Sequence, residues 1–249
     1  MRLLRIIPAV ILCLLVAAAS AEPLRLLTIP CGNLSDYHGR MLDRRAAAAL
    51  ATTAPEAWAP VEQAQVQRAL DDLALPWPLG TSEAQQLSAH LQTAMVLTGV
   101  VKQVQVRPGT AQVTMTVEMM EPLSGELVAR ATGTGTYQSR EPIPVDVRVE
   151  QALQLAAQRV WAGLAVTPRE VGTVVAPVAG DRQPLTLSGG KAPEFRTLVL
   201  LLPPADAPGP PLAAATVEKP AASGIMLLVL GRRAELTPGA RAWAIGRLP

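Results

Sequence analysis

Apolar and polar residues follow two different rhythms along this chain. Val113, Met115, Val117 and Met119 alternate with Thr114, Thr116 and Glu118, a period of two that predicts a strand with one buried face. It is flanked by β-rich runs over 95–106 and 127–137. Gly99 marks a bulge or a point of close packing, and the turns are set by Pro108-Gly109 and Ser124-Gly125. Leu24 to Ile29 is an apolar run ended by Pro30 and reads as a buried first strand. Helical spacing appears over 41–51, which is alanine-rich, and over 61–73. A third helix over 83–92 is predicted to start from a Ser82–Gln85 capping box. Val149, Ala152, Leu153, Ala156 and Val160 form one stripe of a long helix capped by Asp146 and ending near Gly163. Residues 32–39 read as a polar loop, and the proline-broken stretch 53–60 as an edge strand or a loop.

From Thr167 onward only short β runs remain, over 171–177, 184–187, 198–202, 213–217, 225–230 and 242–245. They are separated by Gly, Pro and Asp clusters, among them the proline-rich run 203–211, which reads as an exposed semi-rigid loop. The predicted class is α+β: a mixed three-to-five-stranded sheet packed with helices, then a small all-β barrel or sandwich. The expected division is a signal peptide over 1–21, an α/β domain over 22–165 and a small β domain over 167–249.

Residues 1–21 carry Arg2 and Arg5, a short apolar stretch and Ala19-Ser20-Ala21, the three parts of a secretory signal cleaved after Ala21. The apolar stretch is about a dozen residues, too short for the roughly 20 that a spanning helix needs. A retained leader acting as an anchor is the alternative. Cys13 follows Val10-Ile11-Leu12 and does not fit lipoprotein processing, which requires small residues there. The mature chain keeps a single cysteine, Cys31, so an internal disulfide is excluded. The protein is expected to be exported, periplasmic or extracytoplasmic, with no stable membrane insertion after cleavage.

The whole chain of 249 residues has 22 Lys+Arg against 20 Asp+Glu, and removal of the leader takes two of the arginines. A neutral mature chain with 3% aromatic residues argues against nucleic acid as a partner. Cys31, Asp36, His38 and Asp43 lie close in sequence, in the residue types of a thiol nucleophile or a mixed metal site. Such a set more often belongs to a polar loop. His90 reads as a surface residue of its helix, and Glu118 and Glu121 as the wet face of a sheet. There is no Gly-x-Ser-x-Gly elbow, GxGxxG fingerprint or P-loop; Gly133-Thr134-Gly135 lies within a strand. No catalytic, cofactor-binding or metal residue is therefore assigned, and no cofactor is expected. Trp77, held between Pro76 and Pro78, is the candidate interface residue, because a rigidly presented aromatic can anchor a partner.

The order of elements from Leu24 to Leu164 resembles the exported α/β domain shared by the curli-secretion protein CsgG, the TolB amino-terminal domain and the middle domain of the flagellar protein FlgT. Three motifs carry the likeness: the strand Ala94 to Val101 with Thr98-Gly99, the hairpin from Ser124-Gly125-Glu126 to Gly133-Thr134-Gly135, and the alanine-rich helix from Glu150 to Ala157. Leu185 to Gly189 and Leu236 to Ile245 are similar to turns of the small β domain that ends FlgT-like proteins. The resemblance implies a non-enzymatic envelope protein, an interaction or assembly accessory with envelope-protein partners or a homo-oligomeric state. The alternative is a periplasmic small-ligand-binding protein with a pocket between the domains. The sequence departs from the family pattern where 53–60 replaces the second strand, and where Ala240 stands in place of an acid after Gly239. It also lacks long lipid-facing hairpins, which disfavours a secretion pore.

Overall fold

The computed structural model describes residues 23–30, 37–76, 79–175, 180–187, 192–207, 209–221 and 224–247. Strand β1 (Leu24–Pro30) is followed by helix α1 (Tyr37–Thr52), β2 (Trp58–Pro60), α2 (Gln63–Asp72) and α3 (Thr81–Leu91). Strands β3 (Met95–Arg107), β4 (Thr110–Met120) and β5 (Leu127–Gln138) lead to the long helix α4 (Val145–Leu164). The sheet order is β2-β1-β3-β4-β5, parallel across β2, β1 and β3 and antiparallel from β3 to β5.

β1 reads as a continuous apolar run because both its faces are covered. Leu24 and Leu26 join the core beneath α1 and α4, while Leu27 and Ile29 join a second core with Val66 of α2 and Leu87 of α3. β4 keeps its alternation for the opposite reason. Val113, Met115, Val117 and Met119 are fully buried, whereas Thr114 and Thr116 pair their hydroxyls with Thr134 and Thr132 on the other face, at 3.0 and 2.9 Å. Gly133 and Gly135 let α4 lie directly on β5. A Cβ at these positions would sit 2.3 Å from the Ala156 carbonyl oxygen and 2.0 Å from that of Ala152.

The remaining strands close into a barrel of order β10-β7-β6-β11-β8-β9. They are β6 (Val166–Val174), β7 (Arg182–Leu187), β8 (Leu198–Leu202), β9 (Ala213–Ala221), β10 (Gly224–Arg232) and β11 (Arg241–Arg247). Its interior combines Val171, Val199, Leu201 and Leu227 with the small Ala213, Ala215, Ala242 and Ala244, which fit a narrow barrel. All five residues of β8 are buried, because Val199 and Leu201 fill the barrel while Leu198, Leu200 and Leu202 face the core of the sheet layer.

Several local expectations are corrected, and two open alternatives are decided. α1 begins at Tyr37, inside the stretch read as a loop. Residues 58–60 do form a strand: β2 runs parallel to Leu24–Leu26 as a three-residue edge, a position that tolerates Pro60. α3 is capped not by Ser82 but by Glu83, whose carboxylate accepts the Gly80 N–H at 2.9 Å. α4 starts one residue before Asp146, with Pro144 at the N-cap and no side-chain cap. Gly99 sits at a close contact, its missing Cβ leaving room for Leu50, and the bulge falls between Val101 and Gln103. β6 starts at Val166 rather than Val171. Pro168 fits there because this part of the strand pairs only with β11.

Candidate functional site

The sheet layer and the barrel share one hydrophobic core. Leu198, Leu200 and Leu202 of β8 and Trp243 and Ile245 of β11 pack in the same cluster as Trp161 and Leu164 of α4 and the inner face of the sheet. Pro203 and Pro211, the two ends of the proline-rich loop, are buried as well, so only its middle fits the expected exposed loop.

Where the two layers diverge, a cleft of about 300 Å³ remains. One wall comes from the start of β1, with Leu24 and Arg25, and from the connection between α3 and β3, with Gln92 and Ala94. The other comes from Leu202, Arg241 and Trp243 of the barrel, and Gly209 to Pro211 cover one side. Gln92 ends α3 in the left-handed region at φ 54°, and the Ala94 N–H donates to the Arg25 carbonyl at 2.8 Å. That bond ties the connection to β1 and holds its wall. Arg241 donates its Nε–H to the Pro203 carbonyl at 3.2 Å, which leaves the terminal nitrogens of its guanidinium for other partners. Arg25, Arg241 and Gln92 thus line the cleft together with apolar residues, and no carboxylate is among the described residues lining it. Beside it the Trp243 indole N–H is buried without a hydrogen-bond partner.

A second polar element lies at the junction. Glu121 is fully buried, contrary to its expected place on a wet face, whereas Glu118 does sit there and pairs with Arg130 at 3.4 Å. Glu121 continues the odd-numbered, buried face of β4 by one residue and turns back on its own loop. Its carboxylate accepts the Leu123 N–H at 2.7 Å, and the Ser124 N–H and hydroxyl at 2.6 Å each. Arg233, just after β10, lies near it. Burial lowers the guanidinium pKa and the Glu121 charge partly restores it.

The third feature is the far end of the β3–β4 hairpin. Val104, Val106, Val145 and Val147 are between 37% and 48% exposed. Arg148 donates to the Arg107 carbonyl at 3.0 Å, and the Ser139 N–H donates to that of Gly109 at 2.9 Å, so the hairpin end and the start of α4 are neighbours.

Trp77, Cys31 and Asp36 lie outside the described residues, and His38 lies in α1 without a described side chain. Asp43 is buried on α1, and neither carboxylate oxygen has a hydrogen-bond partner. Burial pushes its pKa up to about 6; the Val101 backbone N–H offsets part of this, without reaching hydrogen-bond geometry. His90 is exposed, as expected. Among the described residues no group of three or more His, Cys, Asp or Glu is placed to hold a metal ion, and no helix is long and apolar enough to cross a membrane. Sequence reasoning did not single out Arg25, Gln92, Arg241 or Trp243. They are spread over 219 positions and share no motif; only the fold brings them together.

No protein-family pattern matches the chain, and no curated protein is similar to it. Among solved structures it is similar to PelC from Paraburkholderia phytofirmans, a dodecamer, at 16% identity and TM-score 0.36, over 58% of this chain and 87% of that one. A lipoprotein from Neisseria meningitidis matches at 12% identity and TM-score 0.37, over 50% and 90%. The C-terminal domain of LpoB from Salmonella enterica matches at 18% identity and TM-score 0.28, over 53% and 94%.

Proposed function

We propose that this chain is a non-enzymatic exported envelope protein, a CsgG/TolB-N-like α/β domain joined to a FlgT-like β domain, serving as an interaction or assembly accessory. The observation that carries this reading is the pair of exposed valines Val104 and Val106 on one face of β3, at the hairpin end that lies beside the start of α4 with its exposed Val145. Exposed apolar side chains gathered at one end of a molecule mark a protein-binding surface. The partner is an envelope protein with an apolar contact face, and Trp77 belongs to the proposal as a second contact. The test is site-specific photo-crosslinking in intact cells from position 104 or 106, with position 228 on the outer barrel wall as control. Capture of one or two stoichiometric envelope proteins from 104 and 106, lost in Val104→Asp/Val106→Asp, is the expected result. Recovery of monomer alone overturns it.

A second reading, a small-ligand-binding protein, is favoured by the cleft between sheet layer and barrel. A cavity of this size stands at the lower end of the roughly 300–1,000 Å³ typical of small-molecule sites.

A further inference from the structure

We propose that the cleft takes a small organic carboxylate with an apolar body. This rests on the second reading above and names the ligand class. Arg25 and Arg241 bring two positive charges to the cleft, and no described lining residue supplies a carboxylate to neutralise them. The Arg241 side chain is fixed through its Nε–H on the Pro203 carbonyl, which presents its terminal N–H groups as a planar fork. A planar carboxylate matches such a fork with two parallel hydrogen bonds. Gln92 lines the opposite wall and carries an amide that can donate as well. The rest of the surface is apolar, with Leu24, Leu202, Pro210 and the Trp243 ring. An inorganic anion would leave that wall wet, whereas an aryl-alkyl or short aliphatic body would cover it and release its water. The cleft volume of about 300 Å³ matches a ligand of that small size.

The test follows the indole N–H signals of the ¹⁵N-labelled chain from Glu22 onward, which carries four tryptophans, with Trp243 assigned by Trp243→Phe. Aryl-alkyl and short aliphatic carboxylates are titrated in, beginning with 3-phenylpropionate, each beside the alcohol and the phosphate monoester of the same skeleton. The expected result is a saturable shift confined to Trp243, with the best carboxylate binding about tenfold tighter than its alcohol, the difference between a charge-assisted and a neutral hydrogen bond. Arg25→Gln and Arg241→Gln should each weaken binding by about tenfold, and Arg241→Lys should restore only part, because it returns the charge without the fork. The indole signals of the buried Trp58 and Trp161 report that each variant is folded. Equal binding of acid and alcohol, or tighter binding of the phosphate ester, overturns the carboxylate assignment and leaves a pocket. No shift with any member of the set overturns the pocket reading as well.

Discussion

Asp43 buries a carboxyl group that has no hydrogen-bond partner. A carboxyl with a pKa near 6 in the folded chain, against 3.8 for the free group, binds its proton more tightly when folded. Its penalty is absent below about pH 4, grows as pH rises through the window from about 4 to 6, and is constant above it. Asp43→Asn should therefore raise stability at pH 7.5 by on the order of 2 kcal/mol and change it little at pH 4. Urea unfolding of both proteins at the two pH values checks this, and a difference that does not change with pH would exclude titration of Asp43 as its source. Trp161 is the contrasting case: its buried indole N–H donates to the Leu50 carbonyl at 3.0 Å and joins α4 to α1. Trp161→Phe retains most of the ring but orphans that carbonyl, and should cost about 1–3 kcal/mol. A midpoint shift with an unchanged denaturant slope is the expected sign.

At the scale of elements, the closest fit is α4 over β5. Gly133 and Gly135 stand two residues apart on one face of the strand, and the α4 backbone passes over both. Gly135→Ala would drive a methyl group into the Ala152 carbonyl and must push the helix away, at an expected cost of roughly 3 kcal/mol or more. Ala131→Gly, a neighbouring change on the same strand without such a clash, should cost only about 1 kcal/mol. Thermal unfolding of the two variants separates close approach from loss of strand propensity. Thr134 sits between the glycines and faces the other side, and its carbonyl accepts a hydrogen bond from the Arg159 guanidinium. The alternating strands and the α4 stripe were legible in the sequence because each has one buried face, so period and burial coincide. Glu121 shares the odd-numbered face of the buried Val113 to Met119 and is buried like them; what strand period does not reveal is that Leu123 and Ser124 of its own loop supply the donors that let a carboxylate stay there.

For the whole molecule, the shared core predicts joint behaviour of sheet layer and barrel. Leu200 and Leu201 are adjacent in β8, yet Leu200 packs toward the sheet layer and Leu201 into the barrel. Leu200→Ala and Leu201→Ala should each destabilise by about 2–5 kcal/mol, and each should lower a single unfolding transition. Calorimetry checks this; two separate transitions, with each variant moving only one, would mean that the layers unfold independently.

The sequence by itself determined the α+β class, the order of the elements, the long amphipathic helix and the six short strands of the barrel. Each depends on local periodicity and on Gly and Pro positions, which act within a few residues. Only the tertiary structure decided that the strands close, that both faces of β8 are buried, and that Arg25 of the first strand meets Arg241 and Trp243 of the last. Those outcomes come from packing between segments remote in the chain, where the free energy lies in apolar area shared across elements and leaves no local periodic signature.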